Sequence, residues 1–245
     1  MSQHPRISLS IVSHGQAGLV ALLLSDIATH CAMPLEVILT LNIPEPLPFD
    51  VAAFPFPVKV ICNTNRKGFG ANHNTAFGHA AAEYFCVLNP DIRIRTDPFP
   101  ALIAVLEDQS VGVVAPLIVN SEEKVEDSAR RFPSPWSIVR KALFPTSVPE
   151  YDIGRELLCP DWVAGMFMVF RATVFRESGG FDERYFLYYE DVDLCWRLQR
   201  RQLRSAQLPR VRAIHDARRT SHRKLRYLRW HIMSMLRFFA KRVLA

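Results

Sequence analysis

What the chain lacks narrows it first. In 245 residues no apolar run approaches the ~20 needed to cross a bilayer as a helix. The opening MSQHPRISLS has no apolar signal-peptide core, so the expectation is a cytoplasmic protein. Five cysteines, at 31, 62, 86, 159 and 195, are odd in number and scattered through apolar sequence. They form no disulfide framework and no zinc spacing, and predict reduced thiols in the core. No segment repeats. Acid is nearly missing from one region: residues 197–245 hold 15 Lys+Arg and a single acid, Asp216, a net of +14. Residues 1–196 hold 15 Lys+Arg against 23 Asp+Glu, a net of −8. A basic end of this kind meets something anionic: nucleic acid, a membrane surface or a phosphorylated substrate.

What is present is 49% hydrophobic and 22% charged, enough to bury a substantial core. Residues 7–13, 35–41, 58–62, 84–89 and 111–116 read as strands, and 18–30, 71–83 and a segment opening near Pro98 as helices between them. This alternation predicts an α/β fold with a mostly parallel sheet covered on both faces. Ligands of such sheets sit at the carboxyl ends of the strands. Here those ends are SHG, LNIPE, NTNRKGFG and NPD. Residues 117–160 read as a weakly periodic excursion, and 161–170 as a return to strand. A short helix closed by Gly179-Gly180 follows. Residues 204–215 read as one or two short strands, and the final stretch as a long basic amphipathic helix with apolar positions at 225, 228, 232, 235, 236, 239 and 243.

Three stretches carry chemistry. GFGANH (68–73) is a poor match to G-x-G-x-x-G, because His73 replaces the third glycine and the segment follows the third strand. A nicotinamide cofactor is thereby rejected. The glycines either open a helix or let backbone approach a ligand, with Asn72 and Asn74 on the first turn. In LNPD, Pro90 ends the ladder and fixes the turn, holding Asp91 at the strand's carboxyl end. Asp91 with Asn89 suits Mg²⁺ or Mn²⁺ held mainly by a ligand's phosphates; the alternative is an ordinary Asx turn. In FLYYEDVDLCWRLQRR (186–201), helical geometry groups Leu187, Asp191, Leu194, Cys195 and Leu198 on an apolar face. It groups Glu190, Asp193, Arg197, Arg200 and Arg204 on a solvated one. Asp191 heads the apolar face, where the helix dipole stabilises it or burial poises it as a general base.

Together these segments resemble family 2 glycosyltransferases, inverting enzymes of the GT-A fold, and in particular their rhamnosyltransferase-like bacterial branch. The resemblance is carried by NRKGFGANHN (65–74), LNPD (88–91), VGVVAP (111–116), DWVAGMFMVFR (161–171), GGFDERYFLYYEDVDLCWR (179–197) and His215. It implies a Rossmann-like GT-A domain over 1–220, with a nucleotide-sugar half (1–116) and an acceptor half (117–220), before a basic amphipathic helix at 221–245. It implies that Asp91 and His215 hold the metal, with Asn89 beside the sugar or metal. Asn42, Gly68, Phe69 and Asn72 would line the donor. Asp191 would be the base, supported by Glu190, which also reaches the acceptor, and Trp162 and Gly165 would line the acceptor side. Two departures fall in the nucleotide pocket: Leu41-Asn42 stands where the family has Asp-Asn, and VSHGQ where it has V-x-Y-N. The donor, a dTDP- or UDP-sugar such as dTDP-rhamnose, therefore rests on the branch alone.

The family's acceptors are saccharides or lipid-linked saccharides of cell-surface polysaccharide assembly, so the basic end is expected at the anionic inner leaflet. The other reading is that Leu225, Leu228, Ile232, Leu236 and Phe239 pack on the domain or on a second subunit. A different class, a non-enzymatic nucleic-acid or membrane binder using the basic end, explains the charge and leaves LNPD and YYEDVDLCWR unexplained. The family reading carries no nucleic-acid partner.

Overall fold

The computed structural model describes residues 4–138, 150–152, 154, 156–215 and 225–244. Strand β1 (Ile7–Ser13) lies parallel between β2 (Leu35–Leu41) and β4 (Tyr84–Leu88), and β3 (Val58–Cys62) pairs parallel to β2. Helices α1 (Ala17–His30) and α2 (Phe69–Phe77) sit in the crossovers. The chain continues through β5 (Ile92–Arg93), α3 (Phe99–Leu106), β6 (Val111–Val119), β7 (Ala129–Arg130), β8 (Trp162–Val163), β9 (Phe167–Arg171), α4 (Ala172–Glu177), α5 (Glu190–Arg200), β10 (Arg204–His215) and α6 (Leu225–Leu244). The main sheet has eight strands in the order β3-β2-β1-β4-β9-β6-β10-β5. Strand β9 runs antiparallel to both neighbours, as β5 does at the edge, so the sheet is mixed and mostly parallel.

Successive residues of a strand point to opposite faces, and β4 shows the consequence. Tyr84, Cys86 and Leu88 join the core under α1 and α3, while Phe85 and Val87 join a second core under α4, α5 and α6. A strand covered on both sides needs an unbroken apolar run, which is why these strands do not alternate in sequence.

Several expectations need correction. Residues 161–170 are not one strand. Trp162 and Val163 pair with β7 in a separate ribbon, and the chain leaves it at Ala164–Met166 before entering β9. Residues 204–215 form a single strand whose register against β6 shifts between Leu208 and Arg212, across Pro209, which has no N–H for the ladder. Helix α2 stops at Phe77 because Gly78 caps it. All five cysteines are free as expected, but Cys62 and Cys159 are exposed, not core residues. Helix α5 begins only at Glu190; the preceding Tyr188 and Tyr189 adopt left-handed backbone, φ 70° and 69°.

Helix α6 packs on the second core, and of the residues expected there Phe239 joins it. Phe238 is fully buried against Tyr189 and Trp196, and Ser234 is buried beside it. Leu225, Leu228 and Leu236 face outward, 85%, 54% and 58% exposed. The contacts with the domain come from Trp230, His231, Ser234, Phe238 and Lys241, on the opposite side of the helix.

Candidate active site

Asp91 lies in a tight turn at the carboxyl end of β4. The Ile92 N–H donates to the Asn89 carbonyl at 3.3 Å, and buried Pro90 fixes the turn between them. Downstream, Arg93 donates two hydrogen bonds to Asp26 of α1 (2.6 and 2.7 Å) and the Ile94 N–H a third (3.0 Å). The antiparallel pairing of β5 with β10 sets Ile92 opposite His215. His215 Nε2 thereby stands 3.4 Å from Asp91 Oδ2, while Asp91 Oδ1 is buried with no hydrogen-bond partner. Among the described residues no third His, Cys, Asp or Glu joins them. One carboxylate with an unfilled oxygen and one imidazole fit a Mg²⁺ or Mn²⁺ ion that takes its remaining ligands from phosphates and water.

Asp191 sits in the first turn of α5, at the rim of the second core and partly exposed. Its Oδ2 accepts the Gly165 N–H at 2.9 Å and its Oδ1 the Val192 N–H at 2.8 Å. The fit at Gly165 is close: a Cβ there would lie 3.3 Å from the Phe69 ring and 3.5 Å from the Asp191 Cβ. Burial raises the pKa of Asp191, opposed by the Gly165 and Val192 amides and by the charge of Arg130. Neighbouring Glu190, 5% exposed, is pushed further up by burial and by the charge of Asp191. Its Oε2 has no partner.

One dipeptide joins the two carboxylates. The Gly165 N–H holds Asp191, and the carbonyl of Met166 accepts the Asn89 N–H at 2.9 Å. The break between β8 and β9 that the sequence concealed is therefore the piece that ties the Asp91 turn to the Asp191 turn.

The loop after β3 is built on amides. Asn42 accepts the Lys67 N–H (2.8 Å) and donates to the Lys67 carbonyl (3.0 Å). Asn63 donates to both Asn42 and Asn72, at 3.0 and 2.7 Å, and Asn72 donates to the Gly68 carbonyl at 2.9 Å. Across the strand ends, Glu45 accepts the Gly15 and Ala17 N–H groups at 3.0 and 2.8 Å.

The model of the family described as glycosyl transferase family 2 matches residues 47–174, just over half of the chain. The chain belongs to that family. Rhamnosyltransferase WbbL of Escherichia coli is 32% identical over 192 residues, covering 73% of this chain and 72% of the relative. The N-acetylglucosaminyl-diphospho-decaprenol L-rhamnosyltransferase of Mycobacterium tuberculosis is 30% identical over 65% of this chain, which spans 56% of that relative's length. Among solved structures, a mannosyltransferase from Pyrobaculum calidifontis in complex with GDP-Man and Mn²⁺ superposes with a TM-score of 0.61 at 17% identity, covering 96% of this chain and 65% of that one. That likeness shows the GT-A fold. The chain is a glycosyltransferase of rhamnosyltransferase-like type, and the nucleic-acid reading is not favoured.

Within this family 2 chain, the residues singled out from sequence fall into two groups. Asp91 and His215 meet, and Asp191 meets Gly165. Phe69, expected on the donor side, lies against Gly165 beside Asp191. Asn42 and Asn72 are spent bracing their loop, and Gly68 is there because a Cβ would strike the Phe186 carbonyl at 2.7 Å. The Trp162 indole N–H is taken by the Arg131 carbonyl at 3.0 Å.

The acids of α5 are the largest correction. Glu190 and Asp193 do not line a solvated stripe. Asp193 is fully buried and bonds Arg197 (2.7 Å) and Lys241 of α6 (2.6 Å). The partly exposed acid is Asp191, expected on the apolar face. The reason is α6, which covers the side of α5 that local periodicity assigns to water. Sequence reasoning also missed Arg130, whose guanidinium lies over Trp162 at 5.4 Å and whose charge acts on Asp191. Its position in an irregular segment gave no periodic signal.

Proposed function

We propose that this enzyme transfers a rhamnosyl residue from a nucleoside diphosphate donor such as dTDP-rhamnose to a hydroxyl of a lipid-linked saccharide, inverting the anomeric carbon. The observation that carries the reading is the Gly165–Met166 dipeptide, which links a fixed carboxylate at Asp191 to the turn bearing Asp91. The sugar and the lipid-linked acceptor are supported by the names of the two relatives. The metal is supported by the unfilled Asp91 oxygen beside His215.

In this mechanism Asp191 takes the proton of the acceptor hydroxyl as its oxygen bonds to the anomeric carbon. The bond from that carbon to the diphosphate breaks on the opposite face, and the nucleoside diphosphate leaves. Burial strengthens Asp191 as a base, while the Gly165 amide aims it and Arg130 favours its ionised form. Burial and the charge of Asp191 both push the pKa of Glu190 up, so the pair resists carrying two negative charges. Asp91 and His215 would hold Mg²⁺ or Mn²⁺, which when bound supplies Lewis-acid stabilisation to the leaving diphosphate. With Asp191→Asn, transfer falls by about 10²–10⁴. Donor binding, read as a thermal shift with dTDP-rhamnose, UDP-sugars and Mn²⁺, is retained. Normal turnover in this variant would overturn the base assignment.

No helix among the described residues is long and apolar enough to cross a membrane. The outer face of α6 nevertheless exposes Leu225, Leu228, Ile232, Met233, Leu236 and Val243, and the helix carries Arg226, Arg229, Arg237 and Arg242. An apolar stripe flanked by arginines suits a helix lying in an anionic headgroup layer. This supports peripheral contact with the membrane that holds the acceptor. Replacing Leu228, Ile232 and Leu236 by serine should end co-sedimentation with phosphatidylglycerol vesicles at physiological salt; unchanged co-sedimentation rejects the contact.

A further inference from the structure

The turn that delivers Asp191 is built in a form its own residues disfavour. Tyr188 and Tyr189 are consecutive non-glycine residues with φ 70° and 69°, a backbone that L side chains rarely adopt. Tyr189 is also the N-cap of α5, and its side chain makes no capping hydrogen bond. The support comes from 40 to 50 residues further along the chain. Ring centroids of His231 lie 5.4 Å from those of Tyr188 and of Tyr189, edge-on to both. The Ser234 hydroxyl donates to the Leu187 carbonyl at 2.9 Å, and Trp230 packs on Phe186 at 4.7 Å. The Asp193 N–H then donates to the Tyr189 carbonyl at 2.8 Å, starting the helix.

We propose that His231 and Ser234 are positioning residues for the transfer reaction: from the inner face of α6 they hold the Tyr188–Tyr189 turn left-handed, and so set where Asp191 points. The inference rests on Asp191 as the base. Strained backbone persists only where surrounding structure over-determines it, and it gathers beside reacting groups. Here the surrounding structure is the helix whose other face is apolar and exposed. Loss of the clamp lets the turn relax and swings the start of α5, while the Asp91–His215 pair, held by β4, β5 and β10, stays in place. The signature is a loss of turnover without loss of donor binding.

The test uses the full chain with dTDP-rhamnose and an N-acetylglucosaminyl diphosphate on a short polyprenyl chain. His231→Ala should lower kcat at least tenfold, with the donor KM within twofold of wild type. Amide exchange across residues 187–192 should quicken. Adding Tyr188→Asn, which tolerates left-handed backbone, should restore at least threefold of the lost kcat. Should His231→Ala fail to fold, Ser234→Ala carries the same expectation with a fall of about threefold. Unchanged kcat, or kcat and KM worsening together with no recovery from Tyr188→Asn, would overturn the proposal. Turnover surviving in Asp191→Asn sinks the base assignment instead, whereas an inactive Asp191→Asn beside an unaffected His231→Ala sinks only the positioning role.

Discussion

The two acid-bearing turns of this glycosyltransferase are held by different means. The Asp91 turn is redundantly braced: a proline, a hydrogen bond across three residues, a bidentate Arg93–Asp26 pair and a strand pairing that brings His215. The Asp191 turn is remote and strained: two left-handed tyrosines of the kind that cost about 1–2 kcal/mol each, steadied by a helix from the far end of the chain. In the proposed mechanism the redundantly braced turn serves the donor diphosphate and the strained one carries the base.

The largest expected effect strikes the second turn alone. Asp193→Ala removes a fully buried carboxylate from between Arg197 and Lys241, leaving, among the described residues, Arg197 with only backbone carbonyls and Lys241 with only Asp182 at 3.1 Å. Breaking a buried pair in this way costs about 3–5 kcal/mol, a fall of roughly 10 °C in melting temperature for a chain of this size. The affinity of the surviving folded protein for Mn²⁺ with donor should stay within twofold. An equal loss of that affinity would show that the two turns are one unit, and the comparison would fail.

The same contrast explains what could be read from sequence. The parallel strands and the Asp91 turn announce themselves in a few consecutive residues, an apolar run and then Asn-Pro-Asp, and motif reading found them, although Asp26 and His215, which brace the turn, come from elsewhere in the chain. The α5 acids depend on α6. Helical periodicity sorts Glu190, Asp191 and Asp193 correctly onto different faces, but which face is wet is decided by residues 230–241, which no local rule connects to them. The half-buried lysine is hidden for the same reason: Lys241 lies among basic neighbours that contact solvent. Arg130 and the β8–β9 break lie where the chain has no period at all. The fold was legible because its strands and helices alternate; the surroundings of Asp191 were not, because they are assembled from irregular pieces.

The smallest effect sharpens the comparison within the second turn. Glu190 and Asp191 both have raised pKa values in the folded chain, each chiefly because burial penalises the charge. Above the ordinary carboxylate value of about 4.3 the folded state therefore binds more protons than the unfolded one. Their contribution to stability is fully present below that pH and is lost as pH rises toward the folded values. Glu190→Gln removes the titrating group while keeping its shape. The variant should melt about 2–4 °C higher than wild type near pH 7.5, as expected for a gain of order 1 kcal/mol, and at the same temperature near pH 4. Thermal melts of both proteins across that range read the difference directly. A gap independent of pH would mean that Glu190 titrates alike in the folded and unfolded chains, and that burial at the head of α5 does not penalise its charge after all.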